Sequence, residues 1–332
     1  MGLGLKTGFR ALLGTALLAG GAIAVEWGWG WAALLAPWTT MRWDAVVAAF
    51  GLVALSYGAR SARLVHYFRR ELARQFWPAA RLTVLHNLLN NLMPFRSGEL
   101  SFPVLMRHFF RIELVRSTAA LVWFRLVDLH CVLVLGAVCM LQDAAQPVLL
   151  VLLLVALTLA LGALPALRAA LERRLRAAAG PDAVARGWQR LLLRALAGLP
   201  ADAATFWGSI AWTWIGWLLK LAAFGWVLMQ FVPIAWSAGW VAAIGGDLMS
   251  VVPLNAPGGF GTYEAGVVAG LAAYGVALAD ALPAAINLHL FLLGGSILLG
   301  AWPLLVPHDR AELRAAMAER APGDSKEQAD AS

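Results

Sequence analysis

The sequence predicts an all-α polytopic integral membrane protein of about eight transmembrane helices, some of them broken by Pro and Gly into re-entrant segments. Three observations carry this. Hydrophobic residues make up 61% of the 332 and charged residues 14%, against roughly 45–50% and 25% in soluble domains; so few charges cannot cover a soluble globule. The apolar residues form continuous runs of bilayer-crossing length, not the dyad alternation of an outer-membrane barrel. Gly (32) and Trp (16) are abundant, as in membrane helices and their interfacial belts. A soluble enzyme, a disordered chain and a disulfide scaffold are excluded. The net charge of +7 comes from basic residues scattered between apolar runs, so no nucleic-acid partner is expected. All but Lys6, Lys220 and Lys326 of the 26 basic residues are Arg, whose planar fork suits phosphate.

In chain order, spans are expected at about 9–26, 44–65, 118–141, 146–167, 205–231, 237–254, 262–279 and 283–305. Lys6 and Arg10, the first apolar run and Ala22-Ile23-Ala24 also fit a signal peptide; retention of residues 1–24 is left open. A patch at about 82–98 is too short to cross and holds Asn87, Asn90, Asn91 and Pro94. Basic residues place 23 of the 26 before the first span, in the 60–81, 96–116 and 168–204 loops, and in the tail. Both termini are therefore expected in the cytoplasm of a bacterial inner-membrane protein. The 82–98 patch must then enter and leave on one side. The 237–279 pair either spans twice or forms a re-entrant hairpin. The basic 168–204 loop reads as an interfacial amphipathic helix pair or as a solvated loop. Residues 1–306 form one transmembrane domain and 307–332 a polar, disordered tail. Cys131 and Cys139, eight apart on one helix, are too distant for a disulfide.

Familiar catalytic devices are missing. No Gly-Lys pair exists for a phosphate-binding loop, no H-E-x-x-H for zinc, no G-x-S-x-G elbow. Gly259-Phe260-Gly261-Thr262-Tyr263-Glu264 falls short of a dinucleotide fingerprint at its sixth position. No cofactor, no metal and no enzymatic activity are expected.

Three polar constellations interrupt the apolar sequence. The first is Asn87, Asn90, Asn91, Pro94, Arg96, Gly98 and Glu99; irregular backbone at membrane depth must face protein or a cavity. The second is Arg125 and Asp128, which share a helix face about 15 Å into their span. An unpaired charge there costs at least ~2.5–3.5 kcal/mol, so the two neutralise each other or a third group. The third is Asp247, Asn255, Pro257, Gly258, Gly259, Gly261, Tyr263 and Glu264, where a helix break exposes N–H groups at a positive dipole end, an anion site. The first and third share the order Asn, Pro, Gly, Glu in different halves of the chain. Such paired breaks point to a transporter site and to two related halves, and the breaks are expected to meet in one midplane cavity.

The runs Asn91…Pro94-Phe95-Arg96-Ser97-Gly98-Glu99, Arg125-x-x-Asp128 and Pro253…Pro257-Gly258-Gly259-Phe260-Gly261…Glu264 resemble the lysylphosphatidylglycerol synthase transmembrane family, the flippase-like membrane half of multiple-peptide-resistance factors. The resemblance covers about 10–305. It implies broken helices, lipid translocation between leaflets, and Arg96, Glu99, Arg125, Asp128, Pro257, Gly258, Gly259, Gly261 and Glu264 as motif positions. The base that often follows the first Glu is missing: Ser101-Phe102-Pro103 stands there, and Arg107 is the next. No acyltransferase-like domain follows residue 305, so the resemblance does not assign lipid aminoacylation to this sequence. The leading expectation is movement of a lipid or lipid-linked anionic headgroup, held by Arg96, Arg125 and the helix terminus at 258–264. Glu99, Asp128 and Glu264 would balance the arginines or meet an amine. Coupling stays open between a proton on Asp128 or Glu264 and facilitated scrambling. The alternative is an intramembrane enzyme or a non-catalytic subunit in envelope lipid or glycolipid synthesis. Candidate partners are membrane lipids with phosphate-bearing headgroups, a second copy, or a lipid-synthesis enzyme.

Overall fold

The computed structural model describes residues 30–141, 147–179, 187–250 and 257–305, with Ile23 and residues 25–28. The expected first span at 9–26 falls almost wholly outside the described residues, as do Asn255 and the 307–332 tail. Among the described residues the regular structure is helical, without strands. The helices are α1 (Trp31–Thr40), α2 (Trp43–Tyr67), α3 (Phe76–Leu92), α4 (Ser101–Phe110), α5 (Leu114–Met140) and α6 (Pro147–Ala179). They continue with α7 (Gly187–Leu196), α8 (Ala203–Phe231), α9 (Trp236–Met249), α10 (Thr262–Ala272) and α11 (Leu278–Leu305). Five of them, α2, α5, α6, α8 and α11, are long and apolar enough to cross a membrane.

Local chemistry sets the boundaries. Asp202 caps α8, accepting the Thr205 backbone N–H at 2.9 Å, one of the donors a helix start leaves unpaired. Arg111, at φ 58°, closes α4 in the left-handed conformation. Pro94 sits at the start of a tight 3-10 segment, Pro94–Leu100, where its missing N–H costs nothing. A second 3-10 turn, Pro257–Gly259, contains positive φ at Gly258 and Gly259, followed by another at Gly261. Glycine adopts these angles without Cβ strain.

The long helices α2 and α8 make the most extensive helix–helix contact and run antiparallel. Arg63 meets Thr213, and further along α2 His66 meets Ala204 further back along α8. Each is followed by a helix–break–helix hairpin: α3 and α4 around Pro94–Leu100, α9 and α10 around Pro257–Gly259. With 17, 10, 14 and 11 residues, these helices are about 25, 15, 21 and 16 Å long. Each is shorter than the ~30 Å of a hydrocarbon core. Because α2 and α8 are antiparallel, the hairpins enter from opposite ends of the bundle, and the two breaks touch.

The packing repeats under exchange of α2, α3, α4 and α5 with α8, α9, α10 and α11. The α2–α3 contact matches α8–α9, α4–α5 matches α10–α11, and α5–α9 matches α11–α3. The halves are thus two inverted repeats of one unit, the arrangement of many transporters.

Small residues permit the tightest contact. A Cβ on Gly266 would lie 2.2 Å from the Gly245 carbonyl oxygen, and one on Gly270 2.5 Å from the Ala242 Cα. One apolar cluster joins α2, α5, α8, α9, α10 and α11; a second joins α2, α3, α4, α5 and α8 around Phe68, Leu72, Met106 and Trp123.

The described residues bear on two of these readings. The 60–81 stretch is not all loop: α2 continues to Tyr67 and carries Arg60 and Arg63 within the bundle, because partners on other helices take up Arg63. Of the two readings of the 168–204 stretch, its described residues fit the helical one. The α6 helix runs on past Pro165 through Arg168, Glu172 and Arg176, and α7 exposes Trp188, Leu191 and Leu192 on one face.

Candidate functional site

Where the hairpin tips meet, α2, α3, α8, α9, α10 and α11 enclose a cavity of about 80 Å³. That volume holds several waters or a small polar group. Its polar lining includes Tyr57, Arg60, Asn87, Asn90, Lys220, Asp247 and His289. A second cavity of about 40 Å³ adjoins it, lined by Arg63, His86, Arg125 and Phe124 among others. Arg60 and Asn87 line both cavities, so the two meet at this pair.

The amides of α3 fix its position. The Asn87 amide donates to the Tyr57 hydroxyl on α2, and Asn91 donates to the Ser296 hydroxyl on α11 at 2.7 Å. Asn90 Oδ1 is buried beside the larger cavity without a partner among the described residues, and so is the Tyr263 hydroxyl. Buried polar atoms are nearly always paired; two orphans on one cavity wall mark a place for water or ligand. Gly98 lets the first break fold back on α3, since a Cβ there would lie 2.4 Å from the Asn90 Cα.

Asp128 is the hub of the ionic network. Arg63 donates to its Oδ1 at 2.8 Å and to Thr213 at 2.8 Å; the Trp217 indole donates to the same carboxylate at 3.1 Å. Arg125, the expected helix neighbour, is further away at 3.4 Å. It instead grips Glu99, Nη2 to Oε1 at 2.7 Å and Nε to Oε2 at 3.3 Å. Glu99 also lies 4.0 Å from His86. The "third group" left open by the sequence is therefore Arg63, whose guanidinium also lies 4.4 Å over the Phe124 ring.

Asp247 is held by Lys220, 2.7 and 2.8 Å from its two oxygens. Glu264 closes its own helix: Oε2 accepts the Gly261 N–H at 2.7 Å. Its other oxygen is 2.7 Å from His289 Nδ1. Glu264 thus takes the Gly261 N–H at the start of α10, one of the donors expected to face an anion. Tyr263 stacks on His289 with centroids 4.5 Å apart. Gly258, Gly259 and Gly261 shape the turn; Gly258 and Gly259 line the cavity.

Arg60 differs from its neighbours. It lies 5.6 Å over Trp217 and lines both cavities, yet no described carboxylate pairs with it. The side chains of Arg96 and Pro257 lie outside the described part of the structure.

Of the sequence candidates, the structure brings Asn87, Asn91, Asp247, Gly258, Gly259 and Tyr263 to the larger cavity. Arg125 lines the smaller one. Glu99 and Asp128 bind its arginines, and Glu264 stands behind His289. Sequence reasoning missed Arg60, Arg63, Lys220 and His289. An Arg at 60 and another at 63 look like a loop edge, and Lys220 alone in a span was the one available signal. Among the described residues, no group of three or more His, Cys, Asp or Glu is placed to hold a metal ion.

A family model described as the lysylphosphatidylglycerol synthase TM region matches residues 11–300. No curated protein and no solved structure matches the chain.

Proposed function

The chain belongs to the lysylphosphatidylglycerol synthase transmembrane family, and from that premise we propose that it moves an anionic lipid headgroup between the leaflets of the bacterial inner membrane. The observation that carries this is Arg60, a guanidinium with no carboxylate in ion-pair contact among the described residues, where two polar cavities join. A cation inside a membrane domain is costly unless paired, and a phosphodiester supplies the missing partner in the bidentate geometry Arg prefers. Acyl chains would stay in the bilayer while the headgroup passes between the hairpin tips. The breaks approach from opposite ends, so each repeat offers the headgroup one side of the same barrier, as in alternating access.

Orientation follows the basic residues. Arg69 pairs with Asp202 and Arg194 with Glu113, gathering the Arg-rich ends of α2, α5, α7 and α8 on one face. We take that face as cytoplasmic.

The test is leaflet exchange of fluorescent phosphatidylglycerol and phosphatidylcholine in liposomes holding the purified protein. Wild type should move phosphatidylglycerol faster, and Arg60→Gln should slow it about tenfold or more, the loss of a single charge-assisted contact of ~1.5–3 kcal/mol. Equal rates for a folded Arg60→Gln protein would sink the reading.

A further inference from the structure

His289 has one nitrogen committed and one free. Its Nδ1 lies 2.7 Å from Glu264 Oε1; a carboxylate only accepts, so Nδ1 carries the hydrogen and donates it. In the neutral ring Nε2 then bears a lone pair. The ring is 1% exposed and lines the larger cavity, and Nε2 has no hydrogen-bond partner among the described residues. Glu264 is fixed from behind by the Gly261 N–H, so the ring has one orientation. Other groups hold it in place: Tyr263 stacks on one side, and Phe260 lies 4.8 Å away on the turn. Across the cavity stand Lys220 on α8, Asp247 on α9, and Tyr57 and Arg60 on α2.

The charges around the two cavities match one for one. Arg60, Arg63, Arg125 and Lys220 stand against Glu99, Asp128, Asp247 and Glu264. Arg60 has no ion-pair partner among the described residues, and Glu264 is taken up by the Gly261 N–H and His289. A phosphodiester docking on Arg60 adds one negative charge to a water-poor site, where uncompensated charge is expensive. One proton on Nε2 offsets that charge and makes Nε2 a second donor toward the anion.

We propose that His289 is a proton-binding site that loads together with the anionic headgroup, Arg60 and the protonated Nε2 holding the phosphate between them. This rests on the headgroup reading above and adds the coupled ion to it. Glu264 positions the ring, and no covalent bond forms or breaks; the proton comes from water and leaves with the headgroup.

The experiment titrates dihexanoyl phosphatidylglycerol into the full-length protein in detergent, by calorimetry in two buffers of different ionisation enthalpy. A phosphodiester has no proton to exchange near neutrality, so any proton taken up belongs to the protein. Wild type should take up about one proton per lipid bound near neutral pH. His289→Gln, checked for folding by its thermal midpoint, should bind more weakly and take up none. Binding by wild type without proton uptake overturns the proposal by itself, whatever the variant does. Uptake that persists in folded His289→Gln also overturns it. If wild type binds no lipid, the headgroup reading falls and this one with it.

Discussion

Arg63 and Asp128, 65 positions apart, form an ion pair of 2.8 Å with both side chains 8% exposed. The pair joins α2 to α5, and through Thr213 and Trp217 both are tied to α8. Three long helices thus share one carboxylate. The Arg63 Nε is buried without an acceptor among the described residues.

Removing one partner of a buried pair leaves the other charge uncompensated. Arg63→Ala and Asp128→Ala should each destabilise by about 3–5 kcal/mol, and the double variant by less than either. Arg125→Ala should cost less than Arg63→Ala, since its 3.4 Å contact with Asp128 is the weaker one. Thermal midpoints in detergent decide. A double variant worse than both singles would place the pair in water.

The hairpin of α9 and α10 depends on bare backbone. Gly266→Ala would place a methyl 2.2 Å from the Gly245 oxygen and should lower stability by about 1–3 kcal/mol, as overpacking does. Gly294→Ala serves as the control: a Cβ there meets nothing within 4 Å, and Ala favours a helix by up to about 1 kcal/mol over Gly. The midpoint should fall for the first and hold or rise for the second.

Inverted repeats make a prediction about sidedness. In a background with Cys131 and Cys139 replaced, a cysteine at Arg70 and one at Gly275 should react with an impermeant thiol reagent from opposite sides of the membrane. Arg70 follows α2; Gly275 follows α10, the matching end of the other repeat's hairpin being Arg111. Labelling of both from one side would refute the inverted arrangement.

Asp202, outside the spans, offers a pH test. The Thr205 backbone N–H, then the Thr205 hydroxyl and Arg69, hold its carboxyl below the usual range. A carboxyl depressed in the folded state stabilises above its unfolded value and loses that contribution as pH falls through the folded one. Asp202→Ala should cost about 0.5–2 kcal/mol at neutral pH as a lost cap, nearer the low end for so exposed a group. The gap between variant and wild type should narrow below about pH 4. A gap constant with pH would assign the effect to packing alone.

Much of the site was legible because certain residues have no cheap place in a bilayer. Pro94, Gly98, Pro257, Gly258 and Gly259 break helices wherever they fall, and Glu99, Asp128 and Asp247 announce themselves in apolar surroundings. Arg60 and Arg63 did not, since an arginine near a span end is equally at home in a basic loop. His289 did not either: a single imidazole in an apolar run is unremarkable until a carboxylate 25 positions away orients it.

Composition and the length of the apolar runs by themselves determined the membrane class and the helical fold, because a bilayer admits only backbone that satisfies its own hydrogen bonds. The breaks were determined too, because proline and positive-φ glycine act on local backbone whatever surrounds them. Only the tertiary structure decided which charge answers which. Sequence spacing ranks neighbours on one helix, and so favoured Arg125 for Asp128. The fold instead brought Arg63 from α2 to 2.8 Å and paired Lys220 with Asp247. It placed Arg60 at the junction of the cavities, without an ion pair among the described residues. Coulombic and hydrogen-bond energies depend on distances across helices, and no one-dimensional pattern holds those distances.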